Sequence, residues 1–205
     1  PAFAVERTQE LIVDLVDMMD RGVIPQAPIL LDSPLAIRAT EVFQQDAADL
    51  DPAVKLLASP HLRCTESVED SKAIDRLAGF YVVIAASGMC DAGRIRHHLK
   101  RYLWQSSTTV LLTGFQAQGT LGRFLDDGAK AVRIQGEEIQ VKARIRRIDD
   151  YSGHADGPEL ARWIAARRPI RRGVFLVHGA EPALKGLSER IAERSIPEAP
   201  VFIPV

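Results

Sequence analysis

The chain reads as an α/β protein. Two observations carry this reading. Short apolar runs and helical patterns alternate along almost the whole length, as where helices cover a mostly parallel sheet. Two stretches also share one plan: an apolar run, a glycine-rich loop, then a helical pattern. The first joins Phe80 to Ala86, the loop Ser87 to Gly93, and Ile95, Leu99 and Leu103 at helical spacing. The second joins Val110 to Thr113, the loop Gly114 to Thr120, and Leu121, Phe124 and Leu125.

From the start, Val5, Leu11, Ile12, Leu15, Val16 and Met19 recur at helical spacing, and Arg21-Gly22 closes that helix. Pro25 and Pro28 bracket a linker. Ile29 to Leu31 is a short buried strand, followed by Asp32-Ser33-Pro34 and a helix carrying Ile37, Val42 and Phe43. Asp32 or Ser33 caps that helix, with ligand contact as the second reading. Residues 46–70 are polar and give no clear element, and Ser67 to Leu77 suits a short helix. Phe80 to Ala86 is the strongest candidate for a buried strand. Val132 to Ile134 and Ile139 to Val141 form a hairpin around Gly136-Glu137. An alternating strand, with Ala143 and Ile145 inward, then leads to His154. The next helix carries Leu160, Trp163 and Ile164 on one face and stops at Arg167-Arg168-Pro169. Val174 to Val177 is an apolar run ending in His178. Ala183, Leu184, Leu187 and Ile191 give the last helix, and Val201 to Ile203 a final strand.

Composition bounds the function. With 205 residues, 46% hydrophobic and 26% charged, the chain can bury a real core as one large or two small domains. A net charge of −1 gives no global attraction to nucleic acid, so any such binding rests on local patches. Cys64 and Cys90 have no metal-like spacing, which favours a reducing compartment and hence a cytoplasmic protein. No apolar run approaches membrane-spanning length and no signal-peptide pattern opens the chain, so no membrane partner is expected. The chain opens at Pro1 without Met and closes just after an apolar strand, which reads as a fragment. Apolar surface left at its edges would favour self-association, a homodimer being one form it could take.

His154 and His178 are the first candidates for chemistry. Each follows an apolar or alternating strand and precedes a helical pattern, where α/β folds gather their reacting groups. Imidazole there can bind a metal or move a proton near neutral pH. After His154, Asp156 is a good N-cap, Pro158 fits the first turn, and Glu159 completes a capping box. The two glycine loops could offer backbone N–H groups at helix starts to a phosphate. They could equally be tight turns and nothing more. Neither is a Walker A loop and neither reads G-x-G-x-x-G. Between the loops, Arg94, Arg96, His97, His98, Lys100 and Arg101 could steer a nucleic-acid backbone or form a solvated helix face. His97 and His98 point in different directions on a helix, so they do not share a metal.

Taken together and in order, six motifs resemble one family. They are P-A-F-A-V-E-R-T-Q-E at the start, L-D-S-P-L-A at 31–36, and A-S-G-M-C-D-A-G at 86–93. T-G-F-Q-A-Q-G-T-L-G at 113–122, S-G-H-A-D at 152–156 and V-H-G-A-E at 177–181 complete the set. The chain resembles the β-CASP branch of the metallo-β-lactamase-fold nucleases, which includes ribonuclease J and the cleavage-and-polyadenylation endonuclease. The resemblance implies a β-CASP domain over residues 1–148, with a mostly parallel sheet flanked by helices. It implies that residues 149–205 are the returning C-terminal strand and helix portion of the metallo-β-lactamase domain. It also implies a zinc-dependent ribonuclease that hydrolyses phosphodiesters of single-stranded RNA with two zinc ions. His154 matches the motif B histidine, implied to help protonate the leaving group. His178 matches the motif C histidine, implied to be a zinc ligand and similar to RNA-cleaving members.

The candidates for gripping RNA are Ser87, Gly88, Met89, Gly93, Gly114, Gln116, Gly119 and Thr120 in the loops, with Asp32 and Ser33. The family's main zinc motif, H-x-H-x-D-H, is absent, so the metal site is incomplete in this chain and the chain alone is expected to be inactive. The acidic motif A residue is expected upstream of Pro1. Glu6 stands where many relatives have Gly. Two other classes stay open: a non-catalytic RNA-binding β-CASP module, and a small-molecule α/β enzyme whose glycine loops hold a nucleotide.

Overall fold

Helix α1 (Arg7–Asp20) buries Leu11, Ile12, Val16 and Met19 along one stripe, as their spacing demands. It is the first element of a computed structural model that describes residues 1–46, 52–151, 153–193 and 200–204. Gly22, at φ 69°, takes the chain out of the helix. Val5 precedes the helix and is 53% exposed, so the apolar stripe starts later than the spacing suggested.

Strand β1 (Ile29–Leu31) is buried along its whole length because it is the middle of a parallel sheet. β2 (Leu62–Cys64) and β3 (Val82–Ile84) flank it, with Leu30 opposite Arg63 and Val83. β2 lies in the polar stretch for which no clear element was expected. It is an edge strand with Arg63 and Cys64 exposed, and so carries no strong pattern. A 3-10 turn at Pro52–Ala58 precedes it and lends Val54 and Leu57 to the core. β3 corrects a second expectation. Phe80 is exposed and Val82 and Val83 only half-buried, because β3 is also an edge strand. Helix α2 (Pro34–Asp46) buries Ile37 but leaves Val42 exposed. Helix α3 (Val68–Ala73) starts at a capping box in which Ser67 and Asp70 cap one another's backbone N–H, and ends in a 3-10 turn at Ile74–Arg76.

Helix α4 (Ile95–Tyr102) and strand β4 (Thr109–Leu112) open a second core. Helix α5 (Leu121–Asp126) follows, then the hairpin β5 (Ala131–Ile134) and β6 (Glu137–Gln140). Its two-residue turn, Gln135-Gly136, has φ 52° and 85°, the left-handed pair that suits strand twist. β7 (Arg144–Arg147) returns parallel to β4. Leu99, Leu103, Leu112, Leu125 and Ile134 are buried together at the centre of this core.

The chain divides into two compact units, Pro1–Tyr151 and Ser152–Val205, where the sequence placed a boundary after residue 148. In the second, helices α6 (Gly157–Ala165) and α7 (Glu181–Glu193) accompany a short parallel pair, β8 (Val174–Phe175) and β9 (Val201–Phe202). Ile164, Leu176 and Ile191 form its core. The expected apolar face of α6 is narrower than its composition: Ala161 and Ile164 are buried, while Trp163 is 57% exposed. Among the described residues, no helix is long and apolar enough to cross a membrane.

Candidate nucleic-acid interface

The two glycine loops follow β3 and β4 and are bound to one another. Gln116 donates through Nε2 to Gly88 O at 3.2 Å and to Gly114 O at 3.1 Å. The Gly122 N–H donates to Met89 O at 3.0 Å, and the Leu121 N–H to Asp91 Oδ1 at 2.9 Å. Gly122 is required for this closeness, since a Cβ there would lie 1.7 Å from Gln116 Oε1. Gly93, at φ 76°, is required by its turn, where a Cβ would meet Ala86 O at 2.3 Å. Cys90 of the first loop is fully buried, and burial pushes its thiol up to about 11, so it is inert at neutral pH.

This bonding corrects the expectation that the start of α5 offers free N–H groups to a phosphate. Leu121 donates to Asp91, Gly122 to Met89, and Arg123 to the Thr120 side chain at 3.2 Å. The first three donors of the helix are therefore already satisfied within the protein. Thr120 is an N-cap, and Gln116 is a buried cross-brace at 1% exposure. The start of α4 is similar, because Ile95 donates to Ala86 O and Arg96 to Gly93 O. Ser87 holds its own loop, its N–H donating to Ala92 O at 3.0 Å and its Oγ accepting from Ala92 at 3.4 Å. Gly114 and Gly119 differ from these, because a Cβ on either would meet no atom within 4 Å.

Asp32 and Ser33 are also internal. Ser33 caps α2, its Oγ accepting from the Ala36 N–H at 3.3 Å. Asp32 has no exposed surface and accepts four side-chain hydrogen bonds. Thr65 and Arg94 donate to Oδ1, at 2.5 and 2.7 Å, while Ser71 and His98 reach Oδ2, each at 2.6 Å. Burial opposes the charge, but hydrogen bonds from His98, Ser71, Thr65 and Arg94 outweigh it and hold the carboxyl well below the usual range. The guanidinium of Arg94 also donates to Thr65 O and Glu66 O, each at 2.8 Å. Sequence reasoning missed this group, since its members stand 33 to 66 positions from Asp32. The cationic stretch of α4 is thus not one open face. Arg94 and His98 turn inward, Lys100 pairs with Glu137, and Arg101 lies 3.6 Å from Asp75.

In the second unit, His154 and His178 are both exposed. His154 lies seven positions beyond the end of β7, just ahead of α6, where Asp156 and Glu159 form the expected capping box. His178 takes the left-handed conformation, φ 61°, after β8. Among the described residues, no three His, Cys, Asp or Glu side chains converge on a point where a metal could sit. Zinc needs about four ligands, so the residues of this chain do not by themselves make a zinc site.

Comparison with known proteins agrees with the motif order. The family model of the Beta-Casp domain matches residues 8–125, and that of the Zn-dependent metallo-hydrolase RNA specificity domain matches residues 138–204. The chain is 37% identical over 202 residues to Ribonuclease TTHA0252 of Thermus thermophilus, covering 95% of this chain and 46% of that protein. It is 29% identical to Transcription termination factor FttA of Methanosarcina mazei, covering 95% and 32%, and 29% identical to the RNase J-like protein of Methanocaldococcus jannaschii, covering 100% and 48%. The chain thus spans less than half the length of these relatives. With more than half of its residues matched by the Beta-Casp domain, and two relatives named as ribonuclease and RNase J-like, the chain belongs to the β-CASP branch of the metallo-β-lactamase-fold RNA nucleases.

Proposed function

We propose that this chain is the RNA-gripping part and the C-terminal hydrolase portion of a zinc-dependent ribonuclease acting on single-stranded RNA. One observation carries the reading. The Zn-dependent metallo-hydrolase RNA specificity match spans the stretch that holds both His154 and His178, and both are exposed. Zinc bound by the complete protein would supply Lewis-acid chemistry for phosphodiester hydrolysis. His178 offers one imidazole to that site, and the remaining ligands come from residues outside this chain. His154 serves as the proton donor to the leaving oxygen. The loops Ser87–Gly93 and Gly114–Thr120 approach the RNA with open backbone at Gly114 and Gly119. Their internal hydrogen bonds hold that backbone rigid. The chain alone is inactive on this reading, because one histidine cannot hold a catalytic metal.

The test is zinc content and cleavage of single-stranded RNA, run side by side on this chain and on a protein extended upstream to the length of its relatives. Two zinc ions and cleavage in the extended protein only is the expected result. An extended protein that binds RNA without metal would make the chain part of a non-catalytic RNA-binding module. An extended protein with saturable mononucleotide binding and no affinity for RNA would point to a small-molecule enzyme.

A further inference from the structure

An open cavity of about 470 Å³ lies beside the two loops, and no motif pointed to it. Asp91 of the first loop and Gly119 of the second are among its lining residues. Arg96 of α4, Phe124 of α5, and Val132 and Arg133 of β5 line it as well. Three features of this wall are unusual for plain surface. Phe124 is 51% exposed although it belongs to a six-residue helix packed on the core. The Nε of Arg96 is buried and meets no acceptor in the protein, and Nη1 makes only a long bond, to Asp91 O at 3.4 Å. Arg133 makes no ion pair among the described residues, although Glu138 stands opposite it in the hairpin register. Asp91 also brings a carboxylate to this wall, with its Oδ1 accepting from the Leu121 N–H.

The cavity therefore combines an aromatic face with two arginines that make no ion pair among the described residues, one of them with a buried Nε that meets no acceptor. Arg recognises phosphate through paired N–H donors, and an exposed ring offers a stacking platform to any base. Arg123, the neighbour of Phe124 in the chain, is paired with Asp127. We infer that this cavity is a nucleotide subsite for single-stranded RNA, with one base stacked on Phe124 and its phosphate held by Arg96 and Arg133. This rests on the RNA-binding reading and deepens it. It places a contact on the flank of the loops in the β-CASP unit, on side chains rather than on loop backbone. It also explains how a chain of net charge −1 can hold a polyanion, through a local pair of cations.

The experiment is fluorescence anisotropy of a labelled single-stranded oligoribonucleotide with the whole 205-residue chain, across a salt series, with AMP as competitor. Phe124→Ala should weaken binding about tenfold, as loss of one base stack does. The double variant R96Q/R133Q should lower the slope of log affinity against log salt by about 0.7, the value for one phosphate contact on a single strand. Thermal midpoints recorded alongside should stay near that of the parent chain for Phe124→Ala and Arg133→Gln, since both side chains are exposed. An oligonucleotide bearing 4-thiouridine should crosslink to a peptide containing Phe124. Binding and salt slope unchanged in these variants, with the crosslink elsewhere, would overturn the subsite and leave the RNA reading intact. Failure of the parent chain to bind RNA at all would overturn both. Saturable displacement by AMP at concentrations below those of the oligonucleotide would assign the cavity to a free nucleotide and overturn the RNA assignment.

Discussion

His98 Nε2 lies 2.6 Å from Asp32 Oδ2, inside the chain and 66 positions away in sequence. The carboxylate it meets also holds Arg94, Thr65 and Ser71, so one charge ties the end of β1 to α3, to α4 and to the segment after β2. Breaking a buried charged group by removing one partner leaves the others without compensation. Asp32→Ala should therefore destabilise the first unit by about 3 kcal/mol or more, read as a fall in the urea midpoint with little change in slope. A loss below about 0.5 kcal/mol would mean that the donors find other partners.

The same carboxylate predicts an acid limb in stability. Its folded-state pKa lies below that of the unfolded chain, so the unfolded state binds more protons as pH falls. The contribution is fully present above about pH 4, the unfolded carboxylate value, and is lost progressively below it. The groups facing it are the guanidinium of Arg94, the imidazole of His98 and two hydroxyls. Urea midpoints measured between pH 6 and pH 3 should fall more steeply in the parent chain than in Asp32→Asn. Equal slopes would remove Asp32 as the cause.

Gly122 and Gly114 make a matched pair. An alanine at 122 would place its Cβ against Gln116 Oε1, and Gln116 is buried and tied by its Nε2 to both loops. Gly122→Ala should cost about 1 to 3 kcal/mol through overpacking and should loosen both loops. An alanine at 114 meets nothing within 4 Å, so Gly114→Ala should leave thermal stability unchanged or raise it by about 0.4 to 1 kcal/mol. If RNA backbone approaches this loop, Gly114→Ala should nonetheless weaken RNA binding. Unchanged RNA affinity in Gly114→Ala would take that loop out of the interface.

The α/β class, both strand–loop–helix units, the hairpin and the capping box at Asp156 were legible because each is written in local residue order. β2 was not, because an edge strand of three residues with two exposed side chains has no period to read. Phe80, Val42 and Trp163 misled for the opposite reason: each is apolar at a plausible core position, yet exposed. Hydrophobic residues are common on surfaces, so type alone does not place them. The candidate site was legible as a pair of loops but not as to what each side chain does there. Gln116, Thr120 and Asp32 look like ligands in a motif and prove to be braces and caps, because their partners lie on elements that only the fold brings near.

Glu6 has φ 64° and ψ −66°, and the Arg7 N–H bonds to Val5 O at 2.8 Å across it. That is a γ-turn of the rare, strained kind, held by a residue with a Cβ at the start of α1. Relief of such strain is worth about 1 to 3 kcal/mol, and the added freedom of glycine in the unfolded chain takes back about 0.5 to 1. Glu6→Gly should thus raise stability by about 1 kcal/mol, seen as a higher thermal midpoint. A lower midpoint would show that the Glu6 side chain contributes more than its backbone conformation costs.

The two histidines should separate in their effects if their proposed roles differ. In the protein extended to the length of its relatives, His154→Ala should lower turnover on single-stranded RNA by about 10²- to 10⁴-fold, the range for loss of one acid or base group. Its zinc content should stay the same, because a proton donor does not hold metal. His178→Ala should lower zinc content as well as turnover, because a site of about four ligands loses one. Metal analysis and single-turnover cleavage on the same preparations make the comparison, with thermal midpoints as a control for folding. Both side chains are exposed in this chain, so neither change should unfold it. Loss of zinc from His154→Ala, or its retention in full by His178→Ala, would exchange or cancel the two roles.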